Sequence, residues 1–520
     1  MEDRKTVIIT TSGLGSRLGE LTEFTNKSLI RVGDKPAISH IIETYPKDTR
    51  FIITLGHYGD HVKQYIEMVY SHLDIKFVWV DIFRGDGSSL GYSLLKCRSS
   101  INGPFVFHAS DTLVSYPSIK KIISVEGNAI MGARKKDSSQ YRTINCREGK
   151  MERINEKGEL FFDCCYIGIC KIECWEDFFI SLEHEVGNGS HEISDAHIIN
   201  SLKDNQEFTL CEIDESDWSD VGNTSELKRS RERYQSSANI LDKKDESIFF
   251  IENSVVKFFN DTKTNINRVR RGNMLYPLTP EIESNSDNFY RYKKADGHLF
   301  SKSVDPDKFL KFLEWSFLNL WKNKEREDIR DLCYDFYIEK TKKRILKYLN
   351  GLPDLPEMIN GTKVPPVIDI IDSLDKEWIC SGLPVQFHGD FILDNIIELE
   401  GGGFKLLDWR QDFAGILECG DIYYDLAKLN HNLTVNHDIV NKDLFSADRD
   451  NCYLLVNSKL LDCKKVLENF VKNKGLDWEK IEVLTSIIWI NMSPLHEYPL
   501  NNFLFTFGKY NLYKRIKNEH

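Results

Sequence analysis

A carboxylate, a carboxamide and a second carboxylate follow one another as Asp390, Asn395 and Asp408. The first two lie in Phe387-His388-Gly389-Asp390-Phe391-Ile392-Leu393-Asp394-Asn395 and the third in Leu406-Leu407-Asp408-Trp409. Set among apolar, strand-like segments, such a trio can hold Mg²⁺ on nucleotide phosphates with two members and orient an attacking hydroxyl with the third, as phosphoryl transfer requires. A second phosphate-handling set lies near the other end of the chain. Thr11-Ser12-Gly13-Leu14-Gly15-Ser16-Arg17-Leu18 is a glycine-rich turn directly after a β-branched run. Its backbone N–H groups can approach phosphate oxygens, and Arg17 can neutralise charge there. Lys27 follows, Asp111 ends the apolar run Phe105-Val106-Phe107-His108, and Asp220 stands in Trp218-Ser219-Asp220-Val221-Gly222. Singly, each has an ordinary reading: a turn that needs φ > 0, a solvated lysine, a strand-end carboxylate. Their order, with Asp111 at the end of a strand, points instead to a ligand.

The elements that must position these residues fall into two patterns. From Thr6 to about Gly222, short β-branched runs (Val7–Thr11, Phe51–Leu55, Phe77–Val80, Phe105–His108) alternate with helix-like segments such as Pro36–Tyr45 and Tyr58–Ser71, which predicts an α/β sheet with crossover helices. Between Glu226 and Glu246 the chain turns polar and highly charged, which predicts a helix and then a domain boundary. We place the divisions at 1–233, a linker 234–246, and 247–520. Ile248–Ile251 and Val255–Phe259 around Glu252-Asn253 read as a hairpin opening a small lobe, 247–300. Amphipathic patterns then dominate a helical lobe, 301–520.

In this order the amino-terminal motifs resemble the nucleotidylyltransferases that activate sugar phosphates and phosphocholine, over roughly residues 5–230. The resemblance implies a Rossmann-like fold in which Gly13, Gly15, Ser16 and Arg17 cradle a nucleoside triphosphate, Lys27 contacts phosphates, and Asp111 and Asp220 hold Mg²⁺. It gives Lys27 and Arg17 catalytic roles, and Gly85-Asp86-Gly87-Ser88-Ser89-Leu90 the place of the loop that meets the base, with Gly87 and Ser88 at its centre. One departure is that Thr10, Thr11 and Ser12 stand where the family has small apolar residues, which leaves the base preference open.

The carboxy-terminal motif resembles that of the aminoglycoside phosphotransferases and choline kinases, relatives of protein kinases, over roughly residues 246–520. The resemblance implies a bilobal protein-kinase-like domain in which Asp390 is catalytic, Asn395 and Asp408 bind Mg²⁺ on ATP, and His388 orients its own loop. Asp421 and Asp425, in Gly420-Asp421-Ile422-Tyr423-Tyr424-Asp425, brace the catalytic loop. Lys257 stands where a lysine grips ATP phosphates, and Tyr292, in Phe289-Tyr290-Arg291-Tyr292, where the adenine is bordered. Lys257 also reads as an edge-strand lysine that discourages aggregation. Two departures concern the small lobe: the hairpin turn Glu252-Asn253 has no glycine, and the helix-like stretch Asn265–Tyr276 offers Arg268, Arg270 and Arg271 rather than an acid to pair with Lys257. Trp489 to Tyr498, with Glu497, reads either as an aromatic and acidic acceptor pocket for a cationic alcohol or as core.

Together the two resemblances imply consecutive steps. A small alcohol, choline-like, a polyol or a sugar, is phosphorylated with ATP, and its phosphate is coupled to a nucleotide, CTP favoured, with release of pyrophosphate. The product would be an activated donor for surface polysaccharide or headgroup synthesis. A sugar kinase joined to a sugar-1-phosphate uridylyl- or guanylyltransferase, or one half acting only as a regulatory nucleotide-binding module, stays open. The net charge of −12 argues against a nucleic-acid partner bound through broad phosphate neutralisation. The twelve cysteines form no C-x-x-C ladder and read as reduced core thiols. No apolar run suggests a leader or a membrane span, so a cytoplasmic enzyme is expected, with homo-oligomerisation left open.

Overall fold

The computed structural model describes residues 5–135, 138–188, 193–236, 243–354, 356–448 and 451–517. The centre of the linker expected at 234–246 lies outside them. The chain forms two compact units, one of residues 1–262 with 284–291 and the other of 263–283 with 292–520.

The first unit is built on a nine-stranded mixed sheet. Its spatial order is Asp74–Trp79, Arg50–Leu55, Thr6–Thr10, Phe105–Ala109, Cys164–Ile172, Asn128–Arg134, Phe208–Asp214, Lys150–Asn155 and Thr143–Arg147. The first four strands are parallel, as the alternation of strand and helix patterns predicts. Cys164–Ile172 then enters antiparallel. Because side chains alternate across a strand, the central strands feed two cores. Val7, Ile9, Phe51 and Ile53 pack with the helices Ala37–Glu43 and Gly59–Val69. Ile8, Ile52, Phe105 and Phe107 pack with the helices Leu90–Lys96 and Trp175–Gly187 on the other face. With both faces covered, the parallel strands read as continuous apolar runs. Thr6–Thr10 and Phe105–Ala109 are in register, Thr10 opposite Ala109, so the segments that follow them leave the sheet at one edge.

The hairpin Glu246–Ile251 and Ser254–Phe259 also belongs to this unit, although its sequence position groups it with the second half. Phe249 packs edge-on to Tyr65 with ring centroids 5.4 Å apart, and Phe258 to His61 at 4.9 Å. Each phenylalanine so buried is worth about 2 kcal/mol, and Tyr65 and His61 are both on the helix Gly59–Val69. Ser254–Phe259 is an interior strand of its sheet, between Glu246–Ile251 and Phe289–Lys293. Lys257 is therefore not on an edge, and it is 6% exposed, which removes the anti-aggregation reading.

The second unit is mainly helical. It holds the long helices Pro306–Asn319, Ile422–Thr434, Ser458–Asn473, Trp478–Met492 and Leu500–Lys517 and a small antiparallel sheet of Gly297–Leu299, Ile396–Leu399 and Phe404–Leu406, against which Pro306–Asn319 sets Phe312. No helix among the described residues is long and apolar enough to cross a membrane.

Candidate active sites

In the first unit, the glycine turn emerges from Thr6–Thr10 and enters a short 3₁₀ helix at Ser16–Thr22. Gly15 has φ of 68°, and a β-carbon there would come 2.8 Å from Lys27 Cβ, so both backbone conformation and close approach require glycine. Gly13, Ser16 and Arg17 lie exposed at the mouth of the turn. The polar residues that depart from the family pattern brace this turn. Thr11 N donates to Thr54 Oγ1 at 3.1 Å, the Ser12 and Ser93 hydroxyls are bonded at 2.9 Å, and Asn26 Nδ2 donates to Thr11 O at 2.7 Å. Asn26 also caps the turn Lys27–Leu29 by accepting from Ser28 N, which fixes where Lys27 projects.

Four charged residues from four separate segments converge here. Lys27 Nζ donates to Asp111 Oδ2 at 2.8 Å, and Arg17 reaches the same oxygen at 3.8 Å. Asp111 follows the strand Phe105–Ala109, and Asp220 ends Trp218–Asp220, which pairs with Thr112–Val114 so that Asp220 is opposite Thr112. A β-carbon on Gly222 would lie 2.9 Å from Asp111 Oδ2, 3.0 Å from Asp220 Oδ1 and 3.3 Å from an Arg17 terminal nitrogen. The absent side chain thus leaves the space between Asp111, Asp220 and Arg17, with Lys27 bonded to the same Asp111 oxygen. Burial pushes the Asp111 carboxyl up, but Lys27 and then Arg17 outweigh it and hold it below its usual range. Asp220 is raised, by burial and by the facing charge of Asp111.

Two opposed carboxylates, one of them displaced by the other's charge, fit a divalent cation. Among the described residues no group of three or more His, Cys, Asp or Glu side chains gathers, so remaining ligands would be phosphate and water, as is usual for Mg²⁺. Gly222→Ala should lower the activity of this site by roughly 10- to 100-fold without removing a charge, because Asp111, tied to Lys27, has little room to retreat. Rates within about twofold of the parent would show that the carboxylates can move aside. Gly87 and Ser88 lie in a turn in which Ser88 N donates to Gly85 O at 3.1 Å. No described contact joins them to the four charged residues. Their loop leads into the helix Leu90–Lys96, which Ser89 caps and whose Ser93 holds Ser12.

The second unit builds its site around the loop 387–395. Asn395 Nδ2 donates to the Asp390 carbonyl at 2.9 Å and to Asp390 Oδ2 at 3.3 Å. Leu407 N donates to Asn395 O at 2.7 Å, which sets Asp408 beside the pair. Asp408 has φ of 56°, a left-handed conformation that costs a non-glycine residue about 1 kcal/mol or more and is characteristic of functional positions. Asp425 braces the loop from the helix Ile422–Thr434, accepting from His388 N at 2.7 Å, Gly389 N at 2.6 Å and Trp321 Nε1 at 3.1 Å. Its burial raises the carboxyl to about 6. Asp421 accepts from Leu383 N and Tyr337 Oη. His388 Nε2 bonds Leu407 O at 2.8 Å, and burial lowers this imidazole to about 3, so it holds the loop in its neutral form.

Lys428 went unmarked by sequence reasoning. Its Nζ lies 2.8 Å from Asp390 Oδ1. Burial pushes Asp390 up, but Lys428 outweighs it and holds the carboxyl well below its ordinary range. Lys428 sits one helical turn after Asp425 and Tyr424, on the same helix, and that i, i+3 spacing from a loop-bracing aspartate was the available signal.

The helix Thr262–Leu275 supplies arginines where an acid was sought. Arg268 donates to Trp409 O at 2.9 Å and lies 3.7 Å from Asp408. Arg271 is 1% exposed and donates to the carbonyls of Phe387, His388, Arg410 and Leu417. Arg271→Met would leave the carbonyls of Phe387, Arg410 and Leu417 unmet, while His388 O keeps the Arg410 N–H, at a cost of about 3–5 kcal/mol, read in a melt as a Tm lower by roughly 10 °C. A loss under about 1 kcal/mol would show that water replaces the guanidinium. Tyr292 is buried with its ring 6.5 Å from Trp409. Trp489 is buried and packs on Phe507 at 4.6 Å, and Glu497 is exposed.

No family model and no curated protein matches this chain. Among solved structures, it is similar to the CTP:phosphocholine cytidylyltransferase of Streptococcus pneumoniae (18% identity, 45% of this chain and 100% of that one, TM-score 0.37). It is similar also to the inositol-1-phosphate CTP transferase of T. maritima (13%, 44% and 96%, 0.38) and to a UDP-glucose pyrophosphorylase of Acinetobacter baumannii (17%, 44% and 93%, 0.37).

Proposed function

We propose that this chain is a bifunctional enzyme, a nucleotidylyltransferase in residues 1–233 joined to an ATP-dependent alcohol kinase in 247–520. The observation that carries the reading is the convergence of Arg17, Asp111 and Asp220 on the space at Gly222, with Lys27 paired to Asp111, together with a second, separately built set at Asp390, Asn395 and Asp408.

In the first reaction, the γ-phosphate of ATP passes to a small alcohol, giving ADP and a phospho-alcohol. Asp390 orients the hydroxyl and takes its proton, while Asn395 and Asp408 would hold Mg²⁺. In the second, a phosphate oxygen of that product attacks the α-phosphorus of a nucleoside triphosphate and pyrophosphate leaves. Arg17 and Lys27 bind the phosphates and offset the charge that develops on them, and Asp111 and Asp220 would hold Mg²⁺. When bound, Mg²⁺ supplies charge neutralisation on the phosphates. The glycine turn brings Gly13, Gly15 and Ser16 N–H groups to the triphosphate, with Gly87 and Ser88 toward the base, and Tyr292 serves ATP. CTP is the favoured second nucleotide; UTP or GTP with a sugar phosphate is the alternative.

The deciding experiment presents the four nucleoside triphosphates, each with a panel of phosphorylated alcohols and sugars, and scores pyrophosphate. We expect one nucleotide to dominate. Pyrophosphate from none of them would sink the nucleotidylyl reading, and ADP formation from ATP by the same full chain would leave the kinase reading standing.

A further inference from the structure

We propose that the alcohol phosphorylated in the second unit carries an anionic oxyacid group, carboxylate or phosphate, recognised by Lys340, Arg344 and Arg410 beside Asp390. The proposal rests on the kinase reading above and names the substrate class of that same site.

The two oxygens of Asp390 face different neighbours. Oδ2 lies toward Asn395, the side that serves ATP and its cation, and Oδ1 toward Lys428. An acceptor hydroxyl must reach Asp390 from the side not taken by ATP, so the surroundings of Lys428 describe what the acceptor meets. Those surroundings are basic. Lys340 Nζ lies 4.1 Å from the Phe336 ring centroid, and the Arg410 guanidinium lies 4.9 Å from the same ring. Arg410 follows the Asp408-Trp409 pair, and its backbone N–H donates to His388 O at 3.0 Å, so its position is fixed by the catalytic loop. Arg344 is held by Asn491 through one terminal nitrogen, while Arg410 uses only Nε, on Asp412 O at 3.1 Å.

Among the described residues no carboxylate pairs with Lys340, Arg344 or Arg410. Burial lowers Lys340 to about 6, with Arg410, Arg344 and Lys428 adding to the effect. Arg410, Arg344 and Lys428 act against the charged form of Lys340 and Asp412 acts for it; an anion entering among them would favour that charged form further. Two guanidinium groups with unused N–H donors suit the planar fork of a carboxylate or the face of a phosphate.

An independent observation points to a polar ligand near Lys428 and Asp390. His431, one turn beyond Lys428 on the same helix, is 6% exposed, and its Nδ1 has no hydrogen-bond partner. Its ring feels both Lys428 and Asp390. A buried nitrogen left unmatched costs about 1–3 kcal/mol, which a bound polar group would relieve. Lys340 and Arg344 also line an open hollow of about 530 Å³ with Lys343, Lys347, Asp335 and Glu339, so both are reached from solvent. A quaternary ammonium would meet Arg344, Arg410 and Lys428 here.

The test is calorimetric titration of the full chain, with a non-hydrolysable ATP analogue present, using glycerate, glycerol 3-phosphate, glycerol and choline as probes. We expect at least one anion to bind ten-fold or more tighter than glycerol or choline, the two anionic arms telling carboxylate from phosphate. Lys340→Gln should weaken that anion about ten-fold while leaving affinity for the ATP analogue unchanged. Its Tm should hold, since a buried ammonium lowered to about 6 carries little charge in the free protein at neutral pH; a merely structural lysine would give a lower Tm. Tighter binding of choline or glycerol, no binding by either anion, or anion affinity unchanged in both Lys340→Gln and Arg410→Gln would overturn the proposal. Failure of the kinase reading is distinguishable: anion binding and its loss in Lys340→Gln would persist, but no probe would yield ADP from ATP.

Discussion

Asp390→Asn should cut ADP formation by about 10³-fold or more while pyrophosphate release from a nucleoside triphosphate and an added phospho-alcohol stays within twofold of the parent. The substitution keeps the size of the side chain and the loop bonds made by the Asp390 backbone, whose carbonyl accepts from Asn395 at 2.9 Å. What it removes is the carboxylate that orients and deprotonates the hydroxyl, an effect typically worth 10²–10⁴ in rate. It also leaves Lys428 facing a carboxamide rather than the anion it pairs with at 2.8 Å, so its charge is no longer offset at the reacting hydroxyl. Parallel assays of ADP and pyrophosphate on one preparation check the result. Equal loss in both would mean that the chain has a single active centre, and no loss in either would remove Asp390 from the chemistry.

The two sites differ in how much of them the sequence makes legible. Asp390 and Asn395 are near neighbours in a loop that closes on itself, so their spacing carries their geometry. Lys428 lies on a different element, and nothing in a helical lysine distinguishes one that points at a carboxylate from one that points at water. The arginines of the helix Thr262–Leu275 were visible, but only as a missing acid. Their purpose rests on four carbonyls from segments more than a hundred residues away, which Arg271 alone gathers. Periodicity cannot report a partnership of that kind, because it records which side is buried and not what buries it.

The fold follows the same division. Strand alternation with helical segments was enough to expect the parallel strands of the first unit, since apolar runs such as Val7-Ile8-Ile9 and Phe51-Ile52-Ile53 are long enough to feed cores on both faces. The hairpin at 246–259 was recognisable from its strands and turn, but its packing was not. Phe249 and Phe258 declare a buried face, and only the structure shows that the helix Gly59–Val69 provides the cover. Similarly, Thr11 and Ser12 read as a departure from a family pattern, whereas their hydroxyls are spent on Thr54 and Ser93 in bracing the glycine turn. A polar residue satisfied inside the scaffold and one that recognises a base look alike in a string of letters.

For the first unit the corresponding expectation is that Asp111→Asn lowers pyrophosphate release by about 10³-fold and leaves ADP formation intact. Asp111 is the residue on which the others depend. Its Oδ2 takes Lys27 at 2.8 Å and Arg17 at 3.8 Å, and its charge acts on Asp220. Replacing it by an isosteric amide removes one of two carboxylates available to a cation and releases Lys27 from its fixed place. Preorganised charge at phosphates is commonly worth 10²–10³ for a single group, and here two groups are disturbed at once. The same change should lower the carboxyl of Asp220, which then faces no opposing charge, so affinity for Mg²⁺ should fall less in Asp111→Asn than in the double variant with Asp220→Asn. Titrating Mg²⁺ against pyrophosphate release in the three proteins checks this ordering. If Asp111→Asn retained the parent rate at saturating Mg²⁺, the aspartate would be a strand-end brace and the reacting phosphates would have to be held elsewhere in the first unit.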